Sequence, residues 1–398
     1  MQSMISNRFK LLVLTDNFPP RVGGIANVVA LFCRSFPPEQ ISVIAPRASQ
    51  GRTIWDTGSD ADAAAFDAAQ RYRIRRIAYA GTMKRTYLTL ISLANLFVHA
   101  LWAYRRDQCS LIFFGKVWPI AAIGPLLRRF GIRYVAYCHG SEVMDPFGPR
   151  KERLRLNAML AADCIIANSA YTREYIIGKG VPSERVVVIH PKVDIERFDV
   201  AVDVEAFKSR EGIAGKRTIL TVGRLMERKG QHVVIQAMRR VLDEFPDAVY
   251  VAVGVGPDRE RLESLANELG VADHVRFPGD RNTLEFYHAC DLFIMPSLDF
   301  TSKGDIESFG IVFLEANVCK KPVIGGRNCG MLDSVADGVS GLLVDPENID
   351  EVADAILRLL RDRAFAEKLG RQGYERARRE FSVDRYADDF RERVLPLL

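Results

Sequence analysis

Thr218-Ile219-Leu220-Thr221-Val222-Gly223-Arg224-Leu225-Met226-Glu227-Arg228-Lys229-Gly230 is an apolar run of strand length that ends in a loop of glycine and cations. A short buried strand followed by such a loop and then a helix is the start of an αβ unit. The same grammar extends in both directions. Downstream, Val249–Val253, Val275–Phe277, Leu292–Met295 and Pro322–Ile324 read as strands, with helices expected near 230–245, 258–269, 310–319 and 349–360. Upstream, Phe9–Leu14 and Ile41–Pro46 read as strands around a helix from about Ile25 to Phe36, followed by Leu111–Phe114, Tyr134–Cys138, Cys164–Ala167 and Val186–Ile189. Strands that alternate with helices argue for parallel sheets covered on both faces.

A chain of 398 residues exceeds one ordinary core, so two such sheets are expected. Residues 1–192 form the first domain, 193–215 a charged linker, 216–372 the second domain, and 373–398 a C-terminal helix that returns to the first. Residues 49–70, polar and alanine-rich, read as a surface excursion. Open parallel sheets bind ligands at the carboxyl ends of their strands, and two of them face to face would make a cleft.

Composition narrows the function. With 48% hydrophobic and 26% charged residues and no apolar run of spanning length, a globular cytoplasmic protein is expected. The seven cysteines form no Cys-x-x-Cys pair and read as buried thiols, not as a zinc or redox site. Residues 1–195 hold 26 Lys and Arg against 14 Asp and Glu, a net +12, whereas residues 196–398 carry a net −7. The first half is therefore expected to meet something anionic. A basic stripe interleaved with aromatics or a zinc pattern is missing, so nucleic acid is not the expected partner.

Three stretches carry chemistry. In Asp16-Asn17-Phe18-Pro19-Pro20-Arg21-Val22-Gly23-Gly24, paired glycines before a helix let backbone approach a ligand. This is not the Gly-x-Gly-x-x-Gly dinucleotide fingerprint, and Gly254-Val255-Gly256-Pro257 lacks its third glycine. In the opening stretch, Arg224 and Lys229 would neutralise phosphate, Arg bidentately and Lys as a mobile point charge. In Asp305-Ile306-Glu307-Ser308-Phe309-Gly310-Ile311-Val312-Phe313-Leu314-Glu315-Ala316, Glu307 precedes a helix, Ser308 lies near its N-cap, and the N–H groups of Phe309 to Val312 would face an anion.

Glu307-x7-Glu315, with Phe309-Gly310 between, resembles the hallmark of retaining glycosyltransferases of family 4, which have the GT-B fold of two Rossmann-like domains. The resemblance covers nearly the whole chain. Gly23-Gly24 is similar to the family's glycine loop, Arg224 with Lys229 to its phosphate-binding pair, His139-Gly140-Ser141-Glu142 to its His-Gly segment, and Asn168-Ser169 with Thr172 to its post-strand turn. The resemblance implies that Glu307 binds sugar hydroxyls, aided by the backbone of Ser308, Phe309, Gly310, Ile311 and Val312. Glu315 would bind ribose, Arg224 and Lys229 the diphosphate, and Gly24 its other side. His139 would stand at the reacting sugar, and Asp280 and Gly254 at the base. The implied catalytic set is His139, Arg224, Lys229 and Glu307, with no metal and no cofactor beyond the nucleotide-sugar donor.

A retaining hydrolase pairs two carboxylates about 5 Å apart. Eight residues of helix at about 1.5 Å each would separate Glu307 from Glu315 by about 12 Å, which does not suit that pairing. The resemblance instead implies same-face substitution, in which a phosphate oxygen of the leaving group deprotonates the acceptor. The stretch from Met295 to Val312 resembles the mannosyltransferase branch, including enzymes that act on phosphatidylinositol mannosides, so GDP-mannose is the favoured donor. UDP-sugars and a catalytically silent partner subunit remain as alternatives. Residues 84–106, basic at both ends and rich in Leu, Phe and Trp, read either as a packed helix or as a contact with the inner membrane face. Arg71, Arg73, Arg75 and Arg76 add to the second reading. A glycan or lipid-linked acceptor is expected.

Overall fold

The computed structural model describes residues 9–21, 23–48, 59–79, 86–144, 146 and 148–398, the side chains of 86–88 excepted. Part of the 49–70 excursion, Lys84 and Arg85 fall outside them. The chain divides into two compact units, residues 1–192 with 383–398, and residues 193–382.

The first unit holds seven strands: β1 (Leu11–Leu14), β2 (Ile41–Pro46), β3 (Arg73–Ile77), β4 (Leu111–Phe114), β5 (Tyr134–Cys138), β6 (Cys164–Ala167) and β7 (Val186–Val188). Their order is β3-β2-β1-β4-β5-β6-β7, and every pair is parallel. All four residues of β1, β4 and β6 are buried, as strands covered on both faces should be. The second unit holds β8 (Arg217–Val222), β9 (Ala248–Val253), β10 (Val275–Gly279), β11 (Leu292–Met295), β12 (Val323–Gly326) and β13 (Gly341–Val344). Their order is β10-β9-β8-β11-β12-β13, again parallel throughout. Both sheets are Rossmann-like, the architecture of the GT-B class. Each order reverses direction beside its first strand, and such a switch point opens a crevice at the carboxyl edge. In the second unit the crevice lies between β8 and β11.

Several elements differ from expectation. Residues 60–69, part of the expected excursion, form the helix Asp60–Ala69, capped by a reciprocal Ser59–Asp62 box. Residues 193–215 are folded, with helices Ile195–Phe198 and Val204–Arg210. Phe198, Phe207 and Ile213 lie in the core of the second unit. The charged C-terminal segment is two helices, Arg363–Glu380 and Arg385–Arg393, and only Val383 onward belongs to the first unit. There Phe390 meets Phe32 and Phe36, each at 5.7 Å between ring centroids, and Lys192 pairs with Asp389 at 2.5 Å. All seven cysteines are buried, and none is joined in a disulfide.

Candidate functional site

The second unit assembles its site where β8 and β11 part. Beyond Val222, Gly223 donates its N–H to Val253 O at 2.9 Å, which keeps the loop in register with β9. A turn of 3-10 helix, Glu227–Lys229, follows and closes on Gly230 in the left-handed region at φ 74°. A Cβ on Gly230 would lie 2.1 Å from the Pro296 carbonyl oxygen, so the turn is pressed against the loop after β11. Leu298 N–H donates to the Arg228 carbonyl at 2.8 Å and ties the two loops together.

The second loop then delivers Glu307. Gly310, at φ 82°, starts the helix Ile311–Val318, and Ser308 does not cap it as expected. Gly310 turns the chain sharply enough to leave Glu307 outside the helix, so the 12 Å helical rise does not describe its separation from Glu315. Gly330 N–H donates to the Glu307 carbonyl at 3.1 Å. A Cβ on Gly330 would meet Ser308 O at 1.8 Å, so only glycine fits beneath this loop. The first N–H groups of a helix lack intrahelical acceptors, and here they follow directly on Glu307.

The side chains of the two loops form an ion cluster largely withdrawn from solvent, with Asp305 at its exposed rim. Lys229 Nζ and Arg228 Nη1 both meet Glu307 Oε2, the latter at 3.0 Å, and Arg228 Nε lies 2.7 Å from Asp305 Oδ1. Burial alone would push the Glu307 carboxyl up, but Lys229 and Arg228 outweigh it and hold it down at about 2. Burial lowers Lys229, and Glu307 only partly offsets that. Burial would also lower Arg228, but Glu307 and Asp305 raise it. Two cations thus balance two carboxylates. Arg224, exposed on the same loop, adds a further positive charge.

Glu315 lies apart from this cluster, in the second turn of the Ile311–Val318 helix. It accepts a 2.7 Å hydrogen bond from Tyr287 Oη, and burial raises its carboxyl. Phe309 is buried in the core, so that residue offers backbone only. Gly254 follows β9 at φ 139°, and a Cβ there would lie 2.1 Å from Gly223 O. Asp280 is exposed beyond the end of β10, the edge strand two places from β8. Among the described residues, no three His, Cys, Asp or Glu side chains gather as a metal site.

The first unit holds the remaining expected residues. His139 follows β5 and is buried, with Nε2 2.8 Å from Gly115 O and the ring 4.4 Å from that of Tyr137. Burial lowers its pKa despite nearby Glu142. Glu142 Oε1 accepts the His139 N–H at 2.6 Å, and Asn168 Nδ2 donates to the His139 carbonyl at 3.2 Å. Thr172 Oγ1 in turn donates to Asn168 Oδ1 at 2.8 Å, while Ser169 caps the helix Ala170–Gly178. The Asn168–Ser169–Thr172 turn thus fixes the backbone of His139. Gly23 and Gly24 begin the helix Gly24–Arg34 and are exposed, with nothing within 4 Å of a Cβ at either.

Known proteins with this sequence and this architecture converge. The profile of the family described as "Glycosyl transferases group 1" matches residues 203–376, and that of "Glycosyltransferase Family 4" matches residues 22–197. The GDP-mannose-dependent alpha-(1-6)-phosphatidylinositol monomannoside mannosyltransferase of Mycolicibacterium smegmatis is 32% identical over 371 residues, covering 91% of this chain and 92% of its own. A GDP-mannose-dependent monoacylated alpha-(1-6)-phosphatidylinositol monomannoside mannosyltransferase of Corynebacterium glutamicum is 28% identical over 94% of both chains. The chain belongs to glycosyltransferase family 4. The crystal structure of Anabaena HepE in complex with UDP shares the fold, with a TM-score of 0.78 at 21% identity, covering 96% of this chain and 99% of that one.

In this glycosyltransferase, Lys229 and Glu307 meet, as do the two loops expected to bind donor. Sequence reasoning left Arg228, Asp305 and Tyr287 without a role. Arg228 neighbours Lys229 in sequence, and a cation beside another cation reads as solvated. The 3-10 turn buries it instead. The arginines near 71–76 are less available than their number suggests. Arg73 and Arg75 lie 3.2 and 3.6 Å from Asp107, and Arg76 donates to both Asp67 oxygens and to the carbonyls of Pro19 and Pro46. On the helix Thr86–Arg106, Leu96, Ala100 and Ala103 are buried, while Leu90, Ile91, Val98 and Trp102 are exposed. The helix therefore packs on one face and leaves an apolar stripe on the other. No helix among the described residues is long and apolar enough to cross a membrane.

Proposed function

We propose that this glycosyltransferase transfers mannose from GDP-mannose to a hydroxyl of a lipid-linked acceptor, with retention of configuration. The observation that carries the reading is the Glu307 carboxylate, held ionised by Lys229 and Arg228 directly before a helix N-terminus. A carboxylate kept charged in a nearly dry pocket is a strong acceptor for sugar hydroxyls, and the adjoining cations suit a diphosphate. Arg224 and Lys229 take up the charge that builds on the leaving diphosphate. Gly24 admits the diphosphate's other side, and His139, neutral at physiological pH, presents a hydrogen bond to the reacting sugar. Glu315 receives the ribose hydroxyls, with its second oxygen fixed by Tyr287. Gly254 and Asp280 border the base. No metal or other cofactor enters the scheme.

The choice of mannose and of a lipid acceptor rests on the mycobacterial and corynebacterial relatives named above. The exposed stripe Leu90, Ile91, Val98 and Trp102 supports docking on the inner face of a membrane. The donor is tested by thermal stabilisation with GDP-mannose, UDP-glucose and ADP-glucose, because a ligand bound to the folded state raises the melting temperature by mass action. GDP-mannose is expected to give the largest shift. A larger shift with UDP-glucose refutes the donor assignment, and none with any sugar nucleotide refutes the site. Membrane docking is tested by sedimentation with anionic vesicles. Val98→Asp with Ile91→Asp is expected to abolish co-sedimentation while donor binding survives.

A further inference from the structure

Lys229 faces a conflict in the proposed reading. Its ammonium already lies against Glu307, yet the same ammonium is needed by the donor diphosphate. If it simply left, Glu307 would be a buried carboxylate without its neighbour, and stripping one partner from a buried ion pair is strongly unfavourable. Arg228 removes the conflict. It is 6% exposed, meets the same Oε2 of Glu307 at 3.0 Å, and is anchored on its other edge by Asp305 at 2.7 Å. A guanidinium has five donors in a planar fork and keeps its charge when buried, so it can hold both carboxylates at once.

We infer that Arg228 is a positioning residue that retains Glu307 as an ionised carboxylate and so frees Lys229 for the donor's diphosphate. The inference rests on the donor-site reading above. Asp305 serves as the anchor that stops Arg228 from following Lys229 toward the phosphates. The cluster is neutral before the donor arrives, with Arg228 and Lys229 against Asp305 and Glu307. On binding, Lys229 exchanges one anionic partner for another, and Arg228 with its two carboxylates stays where it is. No covalent step is involved, only a transfer of ionic contact.

The test is calorimetric titration of the full chain with GDP and with GMP, which lacks the β-phosphate. Arg228→Gln is expected to weaken GDP at least tenfold and GMP less than threefold, because Lys229 then stays with Glu307. Adding Glu307→Gln to Arg228→Gln removes the competing charge and is expected to restore GDP affinity to within threefold of Glu307→Gln alone. A residue that merely fastens the two loops would not be rescued in this way. GDP affinity unchanged by Arg228→Gln, or equally poor in the double variant, overturns the inference. Arg228→Lys decides the matter separately should the glutamine variant not fold. It keeps a cation beside Glu307 but gives up the span to Asp305, so GDP affinity is expected to fall more than threefold while GMP affinity holds. GDP affinity unchanged, or GDP and GMP weakened equally, overturns the role. Wild-type protein that binds none of GDP, UDP and ADP overturns the donor-site reading itself, which sets that failure apart.

Discussion

Gly230 and Gly24 each stand where a loop after a strand turns into a helix, one in each unit, and the chain holds them on different terms. Gly230 has φ 74° and would bring a Cβ to 2.1 Å from Pro296 O. Gly24 has open space around the same position. The first glycine is demanded by the protein's own packing. Nothing among the described residues crowds the second, and the open space there leaves room for a ligand. The same contrast holds for the charged groups. Lys229, Arg228, Glu307 and Asp305 complete one another inside the second unit, whereas His139 is a buried ring fixed through its Nε2 and its backbone. The second unit holds its charged cluster complete within itself, and the first holds its histidine by burial and backbone contacts.

Arg224→Ala should have the largest effect on activity. Its guanidinium is exposed and outside the Glu307 cluster, so its loss leaves the fold intact while removing a cation from the leaving group. Deletion of one preorganised electrostatic contact costs roughly 100- to 1,000-fold in turnover. Sugar transfer from GDP-mannose, measured beside the melting temperature, is expected to collapse without thermal destabilisation. Turnover within threefold of wild type would break the assignment of the second unit as the donor side. Glu307→Ala should match it in activity but, unlike Arg224→Ala, also destabilise the fold, because Lys229 and Arg228 lose the carboxylate they share.

Gly230→Ala and Gly24→Ala test the comparison directly. The first forces both a left-handed alanine and a backbone overlap, so it is expected to cost more than about 3 kcal/mol in chemical denaturation, among the large effects with a named cause. The second places alanine in the first turn of a helix without any contact. Stability there should stay within about 0.5 kcal/mol or rise slightly, while turnover falls at least tenfold because the methyl meets the donor. If Gly24→Ala retains full turnover, the open space has another meaning, and the first unit's share in donor binding is lost with it.

How far all this was readable from sequence follows the same division. The alternation of strand and helix was legible because buried parallel strands are continuous apolar runs, as in Leu11–Leu14 and Leu292–Met295. Arg73-Ile74-Arg75-Arg76-Ile77 was not, because an edge strand whose arginines reach Asp107 and Asp67 resembles solvated charge. Gly341–Val344, though as long as Leu11–Leu14, opens on a glycine, too weak a strand former to stand out. The break between the two final helices, at Phe381-Ser382-Val383, is decided by long-range packing: Phe381 belongs to one core and Phe390 to the other. Within the candidate site, Arg224, Lys229 and Glu307 were singled out by their loops and by the family resemblance, and the structure brings Lys229 and Glu307 together. The meeting of Arg228 with Asp305 was not legible, since it joins loops from different strands, and only the order of β8 beside β11 brings them together.

The smallest effect concerns His139 and separates the units by pH. Burial depresses its folded-state pKa, while an unfolded chain titrates near 6.5. The unfolded state therefore takes up a proton that the folded state refuses as pH falls through about 6.5. The stability contributed by the neutral ring is fully present above that pH and is lost below it, at no more than about 1.4 kcal/mol per pH unit, until the folded-state pKa is reached. His232 in the second unit is depressed in the same direction by burial and Arg261, so the whole protein should weaken on acidification. His139→Gln is expected to reduce the difference in denaturation free energy between pH 7.5 and pH 5.5, whatever it does to stability at either pH alone. His232→Gln should do so as well, and the two reductions should add, since the sites lie in separate cores. A pH dependence unmoved by His139→Gln would mean that the ring titrates as it does in the unfolded chain, and burial would then not be what keeps it neutral.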